Sequence, residues 1–405
     1  MAAAVVLRAL WVAYVNVDPT DGRFDDSVFY HRVATYLADG MGYVDPYGRG
    51  ATAQWPPGYP VALAALYKAF GVQLWLAKAL NIAAAAVTIA ATYLLARQIF
   101  DRRVASLAAL LLAFFPGLIF FSTLVYAETL FGMLFMLVLL LEFIWTLRGD
   151  QARWWQMLAI GVLIGWATLV RVEGLALALI LMPMWVLSIR PWRTAARYSA
   201  FVALGVILAL TPWTVRNAVE FHELIPLRTN AGNALANAAN PDVKGIRVGS
   251  DEDSSVSKGL REQVTQPWRI FTLAGRKIGD LYENDSDGIR LIQAGPPVDS
   301  SLWETFERPL TDDQANFWRK LADRYFFAAG AAALAGVAVC LLRRNRAALL
   351  LIVTGLGWTL FFAFFNPVSR YHFPLAPVIS ILAAAFAIFV LDTMSARFRR
   401  RRQPG

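Results

Sequence analysis

The 405 residues are 58% hydrophobic and 17% charged, against roughly a quarter charged in an ordinary soluble chain. Apolar runs of about 18–25 residues recur along the sequence, each long enough as a helix to cross about 30 Å of hydrocarbon. A soluble globular protein is therefore excluded. The net charge of +9 does not point to nucleic acid, because the arginines gather in alternate loops, and the single Cys340, inside an apolar run, excludes an intrachain disulfide.

Taken in order, the predicted spans are 1–17, 74–98, 104–122, 125–147, 154–171, 174–190, 196–215, 322–342, 347–365 and 371–391. The first has no charged segment before its apolar stretch and no small-residue cleavage site, so it reads as a spanning helix rather than a leader. Arg97, Arg102 and Arg103 fill one connection, and Arg148 and Arg153 another. Arg190, Arg193 and Arg197 fill a third, Arg343, Arg344 and Arg346 a fourth, and five arginines crowd the tail from Arg397 to Arg402. Ten spans put all of these on one side, which the positive-inside rule makes cytoplasmic, with both termini. The sequence thus predicts an all-α, multi-pass plasma (inner) membrane protein in contact with membrane lipids. It divides into an N-terminal core (1–215), an outer segment (216–321) and C-terminal spans with a basic tail (322–405).

The connections on the opposite side, 18–73, 122–125, 171–173, 216–321 and 366–370, carry or border nearly every ionisable residue that interrupts a span. Asp25, Asp26 and His31 come from the first, and Glu128 from the start of the fourth span. Arg171 and Glu173 flank a short turn, Arg216 follows the seventh span, and Arg370 and His372 precede the tenth. Charges at membrane depth are costly and mark functional cavities, so their shared end predicts one polar cavity at the outer face.

Within the first outer loop, Asp25 or Asp26 can cap a helix running to about Asp39. Phe29, Val33, Tyr36 and Leu37 fall on one stripe, which predicts an amphipathic helix on the membrane surface. Capping alone explains one of the two acids. Trp55-Pro56-Pro57-Gly58-Tyr59-Pro60 sets a rigid turn into a second short helix. The outer segment opens on an Asn/Gly/Ala-rich loop. Its Asn230, Asn233, Asn237 and Asn240 read either as turn formers or as an amide cradle for phosphate or sugar hydroxyls, with Arg216 or Arg228 as charge partner. There is no phosphate-binding glycine loop or dinucleotide fingerprint, and His31, His222 and His372 are too scattered for zinc.

Five landmarks in order resemble the GT-C superfamily of polytopic glycosyltransferases, in the family 39-like branch of protein mannosyltransferases and aminoarabinose-type transferases. They are Asp26-x-x-Phe29-Tyr30-His31, the turn Gln54 to Pro60, Ala127-Glu128-Thr129, Leu169-Val170-Arg171-x-Glu173-Gly174, and Pro212-Trp213-x-x-Arg216-Asn217 through Asn240-Pro241. The resemblance implies a polyprenyl-phosphate sugar donor, a lipid, glycan or protein acceptor, and inversion at the anomeric carbon. It maps the catalytic carboxylate to Asp26, because the aromatic pair follows Asp26, not Asp25, at the family's spacing. One departure is Trp55, where aminoarabinose-type relatives carry lysine, so that substrate is not carried over.

On this reading Asp26 takes the acceptor proton, with Asp25 as its neighbour and Glu128 orienting the acceptor. Arg171, Arg216, Arg370 and His372 bind the donor phosphate. Tyr30, His31, Trp55, Tyr59, Arg228, Asn230 and Asn233 contact substrate. Metal-independent action is favoured, with Mg2+ or Mn2+ between Asp26 and Glu128 as the alternative that oxygen donors allow. The rival readings are a lipid-linked glycan polymerase or ligase and a transporter. The transporter predicts broken helices at mid-membrane in two matching halves, and none is visible.

Overall fold

The computed structural model describes residues 1–16, 18, 25–147, 152–189, 191–229, 267–294, 308–365 and 367–401. Among these residues there is no β-strand beyond an isolated bridge between Val44 and Ala51. The backbone polar groups of a lipid-embedded chain must be satisfied within the segment, and helices do this.

All ten apolar runs are helical. Six are long and apolar enough to span alone. They are α4 (Leu74–Ile99), α7 (Glu128–Glu142, continuing to Leu147), α10 (Trp192–Phe221), α13 (Asp312–Leu342), α14 (Leu349–Phe364) and α15 (Ala376–Arg401). A seventh is the pair α5 (Arg102–Ala113) and α6 (Pro116–Phe120), bent by 52° where Pro116 cannot continue the hydrogen-bond ladder. The shorter apolar helices are α1 (Ala2–Val15), α8 (Trp154–Val170) and α9 (Leu175–Ser188). The first long connection supplies α2 (Asp25–Ala38) and α3 (Gly58–Phe70), and the segment 216–321 supplies α11 (Pro267–Leu281) and α12 (Asp287–Ile292).

Ends are set locally. Asp101 caps α5 by accepting from the Val104 amide at 2.9 Å, and Thr311 with Gln314 forms a capping box on α13. Small residues let helices approach where no hydrophobic force acts between them. A Cβ on Gly161 or Gly205 would overlap the facing backbone of the α8–α10 pair.

Two features aim the first loop. The stripe on α2 turns inward: Phe29 and Val33 are buried with Tyr59 and Leu63 of α3 in the main core, and Tyr36 and Leu37 are half-buried. At the turn into α3, a Cβ on Gly58 would lie 2.6 Å from the Leu169 carbonyl carbon and the Val170 nitrogen. Glycine there presses the Trp-Pro-Pro turn onto the end of α8, the end that carries Arg171.

Candidate active site

Four connections at one end of the bundle deliver alternating charges to one place. Asp26 lies in the first turn of α2 and Glu128 is the first residue of α7, both positions where the helix dipole favours an acid. Arg171 is the C-cap of α8, where the dipole favours a cation. Arg370 comes from the 3-10 turn Ser369–Leu375 that leads into α15.

The Arg370 Nη2 is 3.2 Å from the Asp26 Oδ2, and its Nε is 3.3 Å from the Glu128 Oε1. The second contact is an ion pair without hydrogen-bond geometry. Arg171 donates to the same Glu128 oxygen at 2.6 Å and approaches Glu173 at 3.4 Å. Glu128, 4% exposed, thus holds two arginines on one oxygen. Each guanidinium also sits over a ring, Arg171 at 4.7 Å from the Tyr371 centroid and Arg370 at 5.3 Å from Tyr126. Burial opposes the Arg171 charge, but Glu173 and Glu128 outweigh it, and its pKa lies above the ordinary arginine value. Burial, then the Asp26 charge, pushes the Tyr30 hydroxyl well up, so it stays a neutral donor.

A cavity of about 480 Å³ opens over these groups. Asp26, Tyr30, Trp55, Arg171, Arg228 and Arg370 line it. A narrower slot adjoins it, where Glu128, Arg171 and Arg370 meet Phe131, Trp358 and Phe362.

Arg216, His31 and Tyr59 are not part of the cavity wall. Arg216 donates to the Thr52 and Tyr43 carbonyls, each at 2.8 Å, and packs among Tyr43, Trp213 and Phe221. Trp213 donates to the Leu227 carbonyl at 2.7 Å, Asn217 to Ile225 at 2.9 Å, and the Thr229 amide to Ala53 at 3.0 Å. The Pro-Trp-x-x-Arg-Asn landmark therefore straps the end of α10 to the first loop, and what it delivers to the cavity is Arg228. His31 pairs with the Tyr67 hydroxyl at 2.9 Å, and burial lowers its pKa. Tyr59 is fully buried against Tyr30. Asp25 begins α2. Asn230 and Asn233 lie outside the described residues.

His372 is buried away from the cavity. Its Nε2 is 3.0 Å from the Asp285 Oδ1 and its Nδ1 is 3.1 Å from the Leu281 carbonyl, while the Gly117 amide donates to the second Asp285 oxygen at 3.0 Å. A carbonyl only accepts, so Nδ1 carries a proton. Burial pushes the Asp285 carboxyl up from 3.8 to about 6. The folded state therefore keeps a proton that the unfolded chain releases. This stability contribution is full below 3.8 and is lost as pH rises through about 6. Asp285→Asn, whose amide can donate to Nε2, is expected to flatten the fall in melting temperature between those two values, which scans of both proteins across that range check.

The sequence reading missed several residues. Arg49 and Tyr47 line the cavity, and the signal for them was the pair Gly48 and Gly50, whose φ values of 80° and 85° mark a built turn. Asp287, in the first turn of α12, accepts from the Ser369 hydroxyl and from the Arg370 amide at 3.0 Å, so α12 positions Arg370. Among the described residues no group of three His, Cys, Asp or Glu could hold a metal. Asp26 and Glu128 instead share the Arg370 guanidinium, so this donor set does not fit a divalent cation.

The sequence profile of the dolichyl-phosphate-mannose-protein mannosyltransferase family matches residues 54–215. Compared sequence against sequence, no curated protein matches the chain. ArnT from Cupriavidus metallidurans, solved bound to undecaprenyl phosphate, is 15% identical with a TM-score of 0.53, over 94% of this chain and 59% of that one. The archaeal oligosaccharyltransferase AglB from Archaeoglobus fulgidus, in complex with an inhibitory peptide and a dolichol-phosphate, is 14% identical at 0.54, over 100% and 52%. The same oligosaccharyltransferase with zinc and sulfate gives 15% and 0.59, over 97% and 50%. The chain thus spans 59% of the ArnT chain and about half of the archaeal enzyme's. The shared architecture is the GT-C membrane fold. The matched segment, 54–215, is similar to the mannosyltransferase family, and the fold is similar to that of these membrane enzymes.

Proposed function

We propose that this protein is an inverting glycosyltransferase that moves a sugar from a polyprenyl phosphate to an acceptor hydroxyl at the outer face of the membrane. The observation that carries the reading is the cavity wall itself, which puts the carboxylates of Asp26 and Glu173 beside Arg171, Arg228 and Arg370, with Glu173 already paired to Arg171. The match to a dolichyl-phosphate-mannose family and the lipid phosphates in the similar structures support it.

The donor phosphate is held by the three guanidiniums, whose planar forks suit phosphate oxygens. Before binding, Asp26 shares Arg370. A phosphate that draws the Arg370 charge to itself leaves Asp26 a better proton acceptor. The carboxylate takes the acceptor proton as the hydroxyl oxygen attacks the anomeric carbon from the face opposite the phosphate. The bond from that carbon to the phosphate oxygen breaks, its electron pair goes to the phosphate, and the arginines stabilise the charge that develops. Polyprenyl phosphate leaves, and the acceptor, a lipid, glycan or protein, carries the inverted sugar. The isoprenoid runs along the aromatic end of α14, where Phe364 is exposed and Phe361 and Phe365 are half-buried. The alternation of basic loops supports an outward-facing position for this end of the bundle.

Mass spectrometry of lipids extracted from the purified protein, with titration of undecaprenyl phosphate, tests the donor class. Retained prenyl phosphate, or saturable binding that competing inorganic phosphate weakens, supports it. Absence of both would overturn it.

A further inference from the structure

Arg8 lies in the middle of α1 and is 1% exposed. One of its terminal nitrogens donates to the Ala4 carbonyl at 3.2 Å and to the Ala113 carbonyl at 3.0 Å, but its Nε has no partner. Glu128 shows the complementary deficit: Oε1 holds both arginines of the site, while the buried Oε2 has no partner. Both side chains line one small cavity of about 20 Å³, and Glu128 is its single acidic residue. Thr88 and Thr129 complete its polar wall. Their hydroxyl protons go to the Ala84 carbonyl at 2.8 Å and the Asn81 side-chain oxygen at 2.7 Å, which leaves their oxygens able to accept.

A cavity needs about 10–15 Å³ and two to four polar partners to hold a water. This one has room for a single molecule, with a donor on one side and acceptors on the other. A water there accepts from the Arg8 Nε–H and donates to the Glu128 Oε2 and a threonine oxygen. It also gives an arginine at membrane depth the acidic partner such residues ordinarily have.

We infer that Arg8 is a positioning residue of the active site, holding Glu128 through one buried water and so fixing the Arg171–Glu128–Arg370 clamp from behind. Glu128 then presents Oε1 to the two arginines and cannot swing its carboxylate out of line. The consequence for donor binding rests on the functional reading above, whereas the coupling of Arg8 to Glu128 does not.

The test is a double-mutant cycle on the full chain in detergent, with Arg8→Met, Glu128→Gln and the pair, reading undecaprenyl phosphate affinity and melting temperature. If Arg8 acts through Glu128, Arg8→Met weakens binding by about ten-fold in the wild-type background and by less than about two-fold in the Glu128→Gln background. Arg8→Lys, which keeps a donor, restores most of the loss. The melting temperatures are non-additive in the same sense. Additive effects in both readouts would overturn the inference. A wild type that binds no prenyl phosphate would overturn the functional reading, and the melting cycle would then decide the coupling alone. Should Arg8→Met not fold, the cycle runs with Arg8→Gln under the same criteria.

Discussion

Replacing Asp26 with asparagine is expected to abolish the proposed sugar transfer while leaving the protein folded and able to bind a lipid phosphate. The amide matches the carboxylate in shape but cannot take the acceptor proton, and a positioned base contributes about 10²–10⁴-fold. The side chain is 17% exposed, at the cavity wall rather than in the core, so little packing depends on its charge. Its removal leaves Arg370 with Glu128 as its remaining acidic partner, which frees guanidinium charge for the phosphate. Undecaprenyl phosphate affinity is accordingly expected to be unchanged or tighter. Loss of turnover with retained binding separates a base from a binding residue. Turnover near that of wild type would remove Asp26 from the chemistry. Asp25→Asn is expected to keep most of the transfer, and an equal loss there would reverse the choice between the two acids.

Arg370→Ala is the second large effect, and it acts on binding. Among the described residues, Arg370 is the one cation that touches both Asp26 and Glu128 and also lines the cavity. Truncating one member of a buried charge pair costs about 2–5 kcal/mol, which corresponds to an affinity loss of at least about thirty-fold. Glu128 keeps Arg171 at 2.6 Å, so the bundle is not left with an unpaired buried acid there. Asp26 loses its partner but reaches solvent in the cavity. Arg370→Lys should fall between, because a lysine is a single point charge and cannot serve two acids and a phosphate at once. Titration of undecaprenyl phosphate into the three proteins checks the order, and wild-type affinity in Arg370→Ala would contradict it.

What the sequence made legible follows from two periodicities. Apolar runs of membrane length and the alternation of arginine-rich loops locate every helix that crosses the bundle, and each predicted run is helical. The convergence of Asp26, Arg171 and Arg370 was also legible, because charges at the ends of spans on one side have little choice but to meet. Direction was harder. Arg216 is as close to the membrane exit as Arg171, yet it points into the first-loop backbone, because Tyr43, Trp213 and Phe221 form a box around it. His372 follows Arg370 by two residues in a 3-10 turn and so faces another way, toward Asp285. The stripe on α2 looked suited to lipid, but α3 lies close enough to take it. Arg8 escaped notice because one charge in an apolar run carries no signal about which helix faces it. Its relation to Glu128 exists only once α1 is packed against the bundle.

The most direct measurement is release of free polyprenyl phosphate from a panel of polyprenyl-phosphate and polyprenyl-pyrophosphate sugars, by the wild type and by Asp26→Asn. Release by the wild type from a monophosphate donor, absent in the variant, is the predicted result, and the active donor identifies the sugar. Release from pyrophosphate donors alone, or equal release by both proteins, would contradict it.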